Sequence, residues 1–217
     1  MFNNSDPSTN GEIQFCKNID NKVNIIFDVG CKDSHFIHFH GEVHYFDPVD
    51  ENIEKLEIKR NYNSGSYFNI FGLGNENAQL YYYPAYDSFY DRVSSCMVSD
   101  ASNKVLLHIK KGKDYVTDNN IKSIDFLKID TEGYELNVLK GFEEFLENVK
   151  IIQFEYGGTF LDNNTKLSDV ITYLTSMGFH KFSYLTDKEP VLITDFNDHY
   201  QYCNIVCVHK NSDIIPY

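Results

Sequence analysis

Residues 124–142 read IDFLKIDTEGYELNVLKGF. Ile124, Phe126, Leu127 and Ile129 form a short apolar run around a single Lys128. That composition suits a strand covered by helices on both faces of an α/β sheet. Asp130 closes the run, and Thr131, Glu132 and Gly133 follow as an acidic turn. Beyond it, Leu136, Val138, Leu139, Phe142 and Phe145 recur at three- and four-residue spacing, which gives a helix with one apolar face. Gly141 is expected to weaken that helix or break it locally. In open α/β sheets ligands bind in the crevice beyond the carboxyl ends of the strands, so Asp130 and Glu132 are candidate site carboxylates. The same two residues also suit plain helix capping, because free N–H groups and the macrodipole favour negative charge at a helix amino end.

A second strand end lies upstream. Residues 23–29 read VNIIFDV, so Asp28 sits near the end of an apolar run and Gly30 follows it. A strand, an acidic residue and a glycine turn open many nucleotide-binding α/β domains, since glycine lets a ligand approach the backbone and the next helix offers free N–H groups. Here that helix is expected over residues 34–40. The next strand, residues 43–47, ends in Asp47 and Pro48, where a carboxylate can accept hydrogen bonds from both hydroxyls of a ribose. The two strand ends together point to an adenosine-type ligand. Neither GxGxxG nor GxxxxGK[ST] occurs, which argues against a dinucleotide or a nucleoside triphosphate.

The other expected elements are a helix over 49–58, strands over 66–71 and 79–83, and an edge strand over 105–109. A short helix over 113–119, a strand over 150–155, a helix over 168–177 closed by Gly178, and strands over 180–185 and 202–209 follow. The alternation predicts an α/β fold with a mostly parallel sheet and helices on both faces. Residues 1–20 are polar and read as a loose arm, with 21–217 as one domain. Residues 84–103 lack periodicity and read as a loop or lid over the crevice, the place to seek substrate selectivity.

The chain has 217 residues, 42% hydrophobic and 24% charged, enough for one buried core. Its 19 basic and 32 acidic residues give a net charge of −13, a field that repels phosphate backbones and anionic lipid heads. Nucleic acid and membranes are therefore not expected partners. With no signal-like segment and no long apolar run, the expected location is cytoplasmic. Five cysteines without a CxxC pair read as free thiols, with Cys203 and Cys207 buried on one strand face. His35, His38, His40 and His44 match no familiar metal spacing, and only on a surviving helix would His35 and His38 share a face. His35 directly follows the glycine turn and is placed to border the ligand.

The segments FDVG (27–30), YFDP (45–48), LKIDTEGYELNVLKG (127–141) and IIQFEY (151–156), in that order, resemble the FkbM family of methyltransferases. The resemblance implies a class I methyltransferase, Rossmann-like fold and methylation of hydroxyl groups with S-adenosylmethionine. It implies that Asp28 and Gly30 lie near the methionine part of the cofactor, Asp47 and Pro48 at its ribose, and Leu73, in a GLG turn, near the adenine. Where such enzymes usually carry a second glycine this chain has Ser34, whose side chain either crowds the cofactor or bonds to it. A sugar or glycan hydroxyl is the expected acceptor, with 17 Phe and 16 Tyr but no Trp to stack on it. Such a hydroxyl is a weak acid and needs a base or a divalent metal. Asp130 and Glu155 are the expected catalytic pair, with Glu132 as a further candidate and Mg²⁺ on Asp130 and Glu155 as the metal alternative. Two other readings stay open: a methyltransferase fold that has become a carbohydrate-binding or assembly module, and a nucleotide-dependent enzyme of another class. The 128–141 segment argues against the second.

Overall fold

The apolar runs become the middle of one large sheet in the computed structural model, which describes residues 2–60, 65–84, 87–89 and 103–214. In chain order the elements are α1 (Glu12–Ile19), β1 (Ile25–Val29), β2 (Glu42–Phe46), α2 (Asp50–Arg60), β3 (Ser66–Asn69), β4 (Gly72–Gly74), β5 (Ala78–Tyr82) and β6 (Val105–Lys111). They continue with α3 (Gly112–Asp118), β7 (Ile124–Ile129), α4 (Glu135–Phe142), β8 (Val149–Tyr156), α5 (Leu167–Ser176), β9 (Phe179–Tyr184), β10 (Val191–Leu192) and β11 (Cys203–His209).

Eight strands pair in the order β10-β9-β11-β8-β7-β1-β2-β3. The run from β8 through β7, β1 and β2 to β3 is parallel, whereas β11 is antiparallel to both β8 and β9. Every residue of β7 is buried, because each face of the sheet has its own core. On one face Phe27, Leu127, Ile129 and Phe154 meet Val138, Leu139 and Phe142 of α4 and Leu174 of α5. On the other, Ile26, Phe126, Ile151 and Val206 meet Phe15 and Ile19 of α1 and Ile53 and Leu56 of α2. The expectation of a mostly parallel sheet between helices is met. Cys203 and Cys207 are buried free thiols of the α4-side core, and Cys96 lies outside the described residues.

Several local expectations need correction. The terminal segment is not loose throughout: α1 occupies residues 12–19 and seats Phe15 and Ile19, one helical turn apart, in the core. No helix forms over residues 34–40. The Ser34 hydroxyl accepts the Phe36 N–H at 3.2 Å, and Phe39 N–H bonds the Phe36 carbonyl at 3.0 Å, so local turns replace the helical ladder. His35 and His38 consequently share no helical face.

Residues 72–74, expected as a turn, form β4 of a second, three-stranded sheet ordered β4-β6-β5, which places β6 at the centre rather than at an edge. Strand β5 belongs to this small sheet too and not to the large one. Gly141 does not break α4. A Cβ there would overlap the Gly74 carbonyl, so the missing side chain lets α4 lie directly on β4. The expected lid, residues 84–103, falls mainly at positions 85–86 and 90–102, outside the described residues.

Candidate functional site

Strand order reverses between β1 and β7, whose chain neighbours lie on opposite sides, and the crevice at such a point is the expected ligand site of an α/β sheet. A cavity of about 390 Å³ opens there, at the carboxyl ends of β1, β2, β7 and β8. Gly30, Asp47, Pro48, Leu73, Asp130, Glu132 and Glu155 all line it, as does His35. Asp28 and Ser34 do not. The fully buried Asp28 lies behind the wall, and Ser34 turns its hydroxyl to the Phe36 backbone.

At the β2 end, Asp47 is held rigidly. Its Oδ1 accepts the Val49 N–H at 2.9 Å and its Oδ2 accepts Asn52 Nδ2 at 3.1 Å. Burial raises its carboxyl to about 6, although both hydrogen bonds favour the anion. Gly30 serves packing as well as access. Its N–H is used by the Phe46 carbonyl at 2.9 Å, and Cys31 N–H reaches the same oxygen at 3.3 Å, so neither donor is spare for a ligand.

The sheet register builds a polar row on the α1 side. Asp28 pairs with Lys128 and Lys128 with Gln153, whose amide nitrogen reaches Asn204 Oδ1 at 3.3 Å. Lys128, within a strand that is otherwise apolar except for Asp125, is the hub: its Nζ lies 3.1 Å from Asp130, 3.6 Å from Glu12 and 3.9 Å from Asp28. Burial alone would lower the Lys128 ammonium, but the three carboxylates hold it well above the ordinary value. Burial works against the Glu12 anion too, yet Lys128, His35 and Gln153 bring its carboxyl down to about 2. Asp28 is pushed up by burial against the pull of Lys128 and of the Ser34 hydroxyl.

One step beyond the row stand Asp130 and Glu155, at the ends of adjacent parallel strands. Burial, the Asp130 and Glu132 charges and a hydrogen bond with Asp130 drive the Glu155 carboxyl far above the usual carboxylate range. The turn that carries Asp130 and Glu132 takes left-handed backbone at Glu132, φ 52°, and Gly133, φ 102°. Glu135 holds it in place: Oε1 accepts Thr131 N–H at 2.9 Å, Thr131 Oγ1 at 3.0 Å and Gly133 N–H at 3.3 Å. The capping considered for Asp130 and Glu132 is not made, since the helix start has no side-chain cap, and Glu135, whose carboxyl burial raises to about 7, ties the preceding turn instead.

Tyr82 and residues 87–89 complete the rim. Asp87 receives the Lys32 ammonium at 2.6 Å and the Tyr82 hydroxyl, while Ser88 Oγ donates to the Glu132 carbonyl at 3.0 Å. Phe89 packs on Tyr134 with ring centroids 5.4 Å apart. Asp87 and Ser88 thereby join the glycine turn to the acidic turn.

Sequence reasoning missed Glu12, Lys128 and Glu135 as site residues. Lys128 carried a signal, since a lysine inside a fully buried strand must find carboxylate partners. Glu12 carried none. Among the described residues no group of three or more His, Cys, Asp or Glu side chains could hold a metal ion, and the cation beside Asp130 is the Lys128 ammonium. Among the described residues no helix is long and apolar enough to cross a membrane.

Comparison with known proteins fits this geometry. Residues 28–181 match the family described as the Methyltransferase FkbM domain. Comparison with curated proteins finds no match. Among solved structures, the chain is similar to a methyltransferase FkbM from Methylobacillus flagellatus KT, with a TM-score of 0.51 and 14% identity over 85% of this chain. The match spans only 43% of that protein's length. It is also similar to the Methanococcus jannaschii fibrillarin pre-rRNA processing protein, at TM-score 0.51, 9% identity, 94% of this chain and 76% of the other. An O-methyltransferase from Bacillus cereus, solved with S-adenosylhomocysteine, matches at TM-score 0.50 and 12% identity, over 95% of this chain and 83% of its own. At these identities the likeness establishes the fold, that of the class I methyltransferases.

Proposed function

Because the chain belongs to the FkbM family of S-adenosylmethionine-dependent methyltransferases, we propose that it methylates a hydroxyl oxygen, and that the acceptor is a sugar or glycan. The observation that carries the reading is the Asp130–Glu155 pair beside a cavity whose other end is bordered by Asp47.

The donor set fits the cofactor. Asp47 presents a buried carboxylate where ribose hydroxyls need acceptors, and Phe46 and Leu73 give the same end of the cavity an apolar wall for the adenine. The opposite end is rich in carboxylates, which suits a ligand that carries positive charge. When bound, S-adenosylmethionine supplies a methyl group activated by its sulfonium.

The chain's own residues handle the acceptor. A sugar hydroxyl gives up its proton reluctantly, and a carboxylate whose affinity for protons is raised by burial is a stronger base than an exposed one. Glu155 and Asp130 share that task, with Lys128 stabilising the Asp130 anion from 3.1 Å. Glu132 stands as the alternative acceptor of the proton from the rim. Asp87 and the aromatic rings of Tyr82, Phe89 and Tyr134 line the approach, where a sugar ring can stack.

The test is calorimetric titration with S-adenosylhomocysteine on the wild type and on Asp47→Ala, followed by methyl transfer from labelled cofactor to a panel of sugars and glycans. Binding lost in Asp47→Ala together with label on a sugar oxygen supports the reading. Absence of binding to the wild type removes the enzyme reading, and transfer only to non-hydroxyl acceptors removes the O-methyl assignment.

A further inference from the structure

We propose that Glu12 of α1 is the contact for the cationic nitrogen of the ligand, the ammonium of the cofactor's amino-acid portion; the proposal rests on the S-adenosylmethionine reading above. Glu12 lies outside the residues that match the family, on a segment that composition alone reads as loose.

The backbone fixes this side chain closely. Asn10 Oδ1 accepts the Glu12 N–H at 2.9 Å, and Gly11 enters the helix at φ 97° so near Thr186 that a Cβ would overlap its carbonyl oxygen. Upstream, Asn3 and Tyr202 exchange hydrogen bonds of 2.9 and 3.1 Å. The segment from residue 3 to 12 is thereby tied across the sheet end, and Ser5, Pro7 and Glu12 all reach the cavity.

The surroundings of Glu12 select a cation. Every polar partner of its carboxylate is a donor: Gln153 Nε2 at 3.1 Å, Asn204 Nδ2 at 3.4 Å, Lys128 Nζ at 3.6 Å and His35 Nε2 at 3.8 Å. Lys128 is shared with Asp28 and Asp130, so one ammonium faces three carboxylates, with Glu132 and Glu155 on the cavity beyond. The cluster carries more acid than base. The Glu12 carboxylate itself lines the cavity beside Ser5 and Pro7, and an ammonium brings three N–H donors to it. Asp28, the residue that strand order would nominate for this contact, is sealed behind the cavity wall.

The experiment titrates wild type, Glu12→Gln and Glu12→Asp with two ligands: S-adenosylhomocysteine, and 5′-methylthioadenosine, which keeps the adenosine thioether and lacks the amino-acid portion. In Glu12→Gln, S-adenosylhomocysteine should bind about tenfold or more weakly, the scale of a charge-assisted hydrogen bond, while methylthioadenosine is unchanged within about twofold. Glu12→Asp, which keeps the charge, should retain part of the preference and guards against a glutamine variant that fails to fold. Equal losses for both ligands would make Glu12 a purely structural residue, and no loss for either would remove it from the site; both outcomes overturn the proposal. A wild type that binds neither ligand would instead bring down the cofactor reading itself.

Discussion

Gly30 lies against the Asp130 backbone so closely that a Cβ built on it would overlap the Asp130 carbonyl oxygen, and its φ of 78° is left-handed. The glycine turn and the acidic turn are thus one packed unit, tied also by the Asp130 N–H to the Val29 carbonyl at 2.9 Å. Gly30→Ala must pay for both the strained backbone and the overlap, together about 3 kcal/mol or more. For a chain of this size that lowers the melting temperature by roughly 6–12 °C. Differential scanning calorimetry checks it, and a loss under 2 °C would mean that the two turns separate without cost.

Much of this arrangement was legible in the chain, and the failures share a cause. Strands β1, β2 and β7 and helices α2 and α4 follow from apolar runs and periodicity that each element carries within itself. Asp47, Asp130 and Glu155 line the cavity because strand ends in an α/β sheet open onto that crevice. What could not be read depends on distant partners. Strand β4 has three residues, two of them glycine, and exists only because β6 pairs with it. Phe36 and Phe39 look helical by spacing but are buried from a turn that Ser34 holds open. Glu12 becomes a site residue only when α1 folds back over Lys128 and Gln153.

Lys128 ties that row together, and its removal should be costly. Lys128→Met leaves Glu12, Asp28 and Asp130 without their shared cation, a loss of about 3–5 kcal/mol for breaking a buried pair on one side. The pH dependence has two limbs. The Lys128 ammonium is raised, so its contribution is complete below the unfolded value near 10.4 and disappears as pH rises through the folded value. Glu12 is depressed from 4.5 to about 2, so its contribution is complete above 4.5 and fades as pH falls toward 2, by about 3 kcal/mol. Urea unfolding at pH 7, 4.5 and 3 should show the acid limb in wild type and a flatter one in Glu12→Gln. Parallel curves for the two proteins would contradict the pairing.

Asp47 gives cofactor binding its own pH signature. Its carboxyl is raised from 3.8 to about 6, so folding favours the protonated form and the protein loses stability from this group as pH rises through that window. Ribose recognition needs the anion as acceptor. Affinity for S-adenosylhomocysteine should therefore climb from pH 5 to pH 7.5, approaching about tenfold per unit below 6. Titration calorimetry at three pH values measures it. In Asp47→Asn the affinity should be weak and flat with pH, and a slope that survives in the variant would assign the dependence to another group.

Glu155 provides the sharpest separation of chemistry from binding. Burial and the charges of Asp130 and Glu132 oppose ionisation of its carboxyl and favour the neutral form. Glutamine imitates that neutral form, so Glu155→Gln should fold with a melting temperature close to wild type. It should also bind S-adenosylhomocysteine within about threefold of wild type, since Asp47 and Leu73 lie at the other end of the cavity. What glutamine cannot do is accept the proton of an acceptor hydroxyl. Methyl transfer should accordingly fall by about 10²–10⁴ in kcat, the usual range for a general base. In wild type the rate should rise with pH as Glu155 loses its proton, and the variant should lose that limb. A variant that keeps both its kcat and the pH limb would pass the role of base to Glu132, whose own glutamine variant then becomes the one to lose activity.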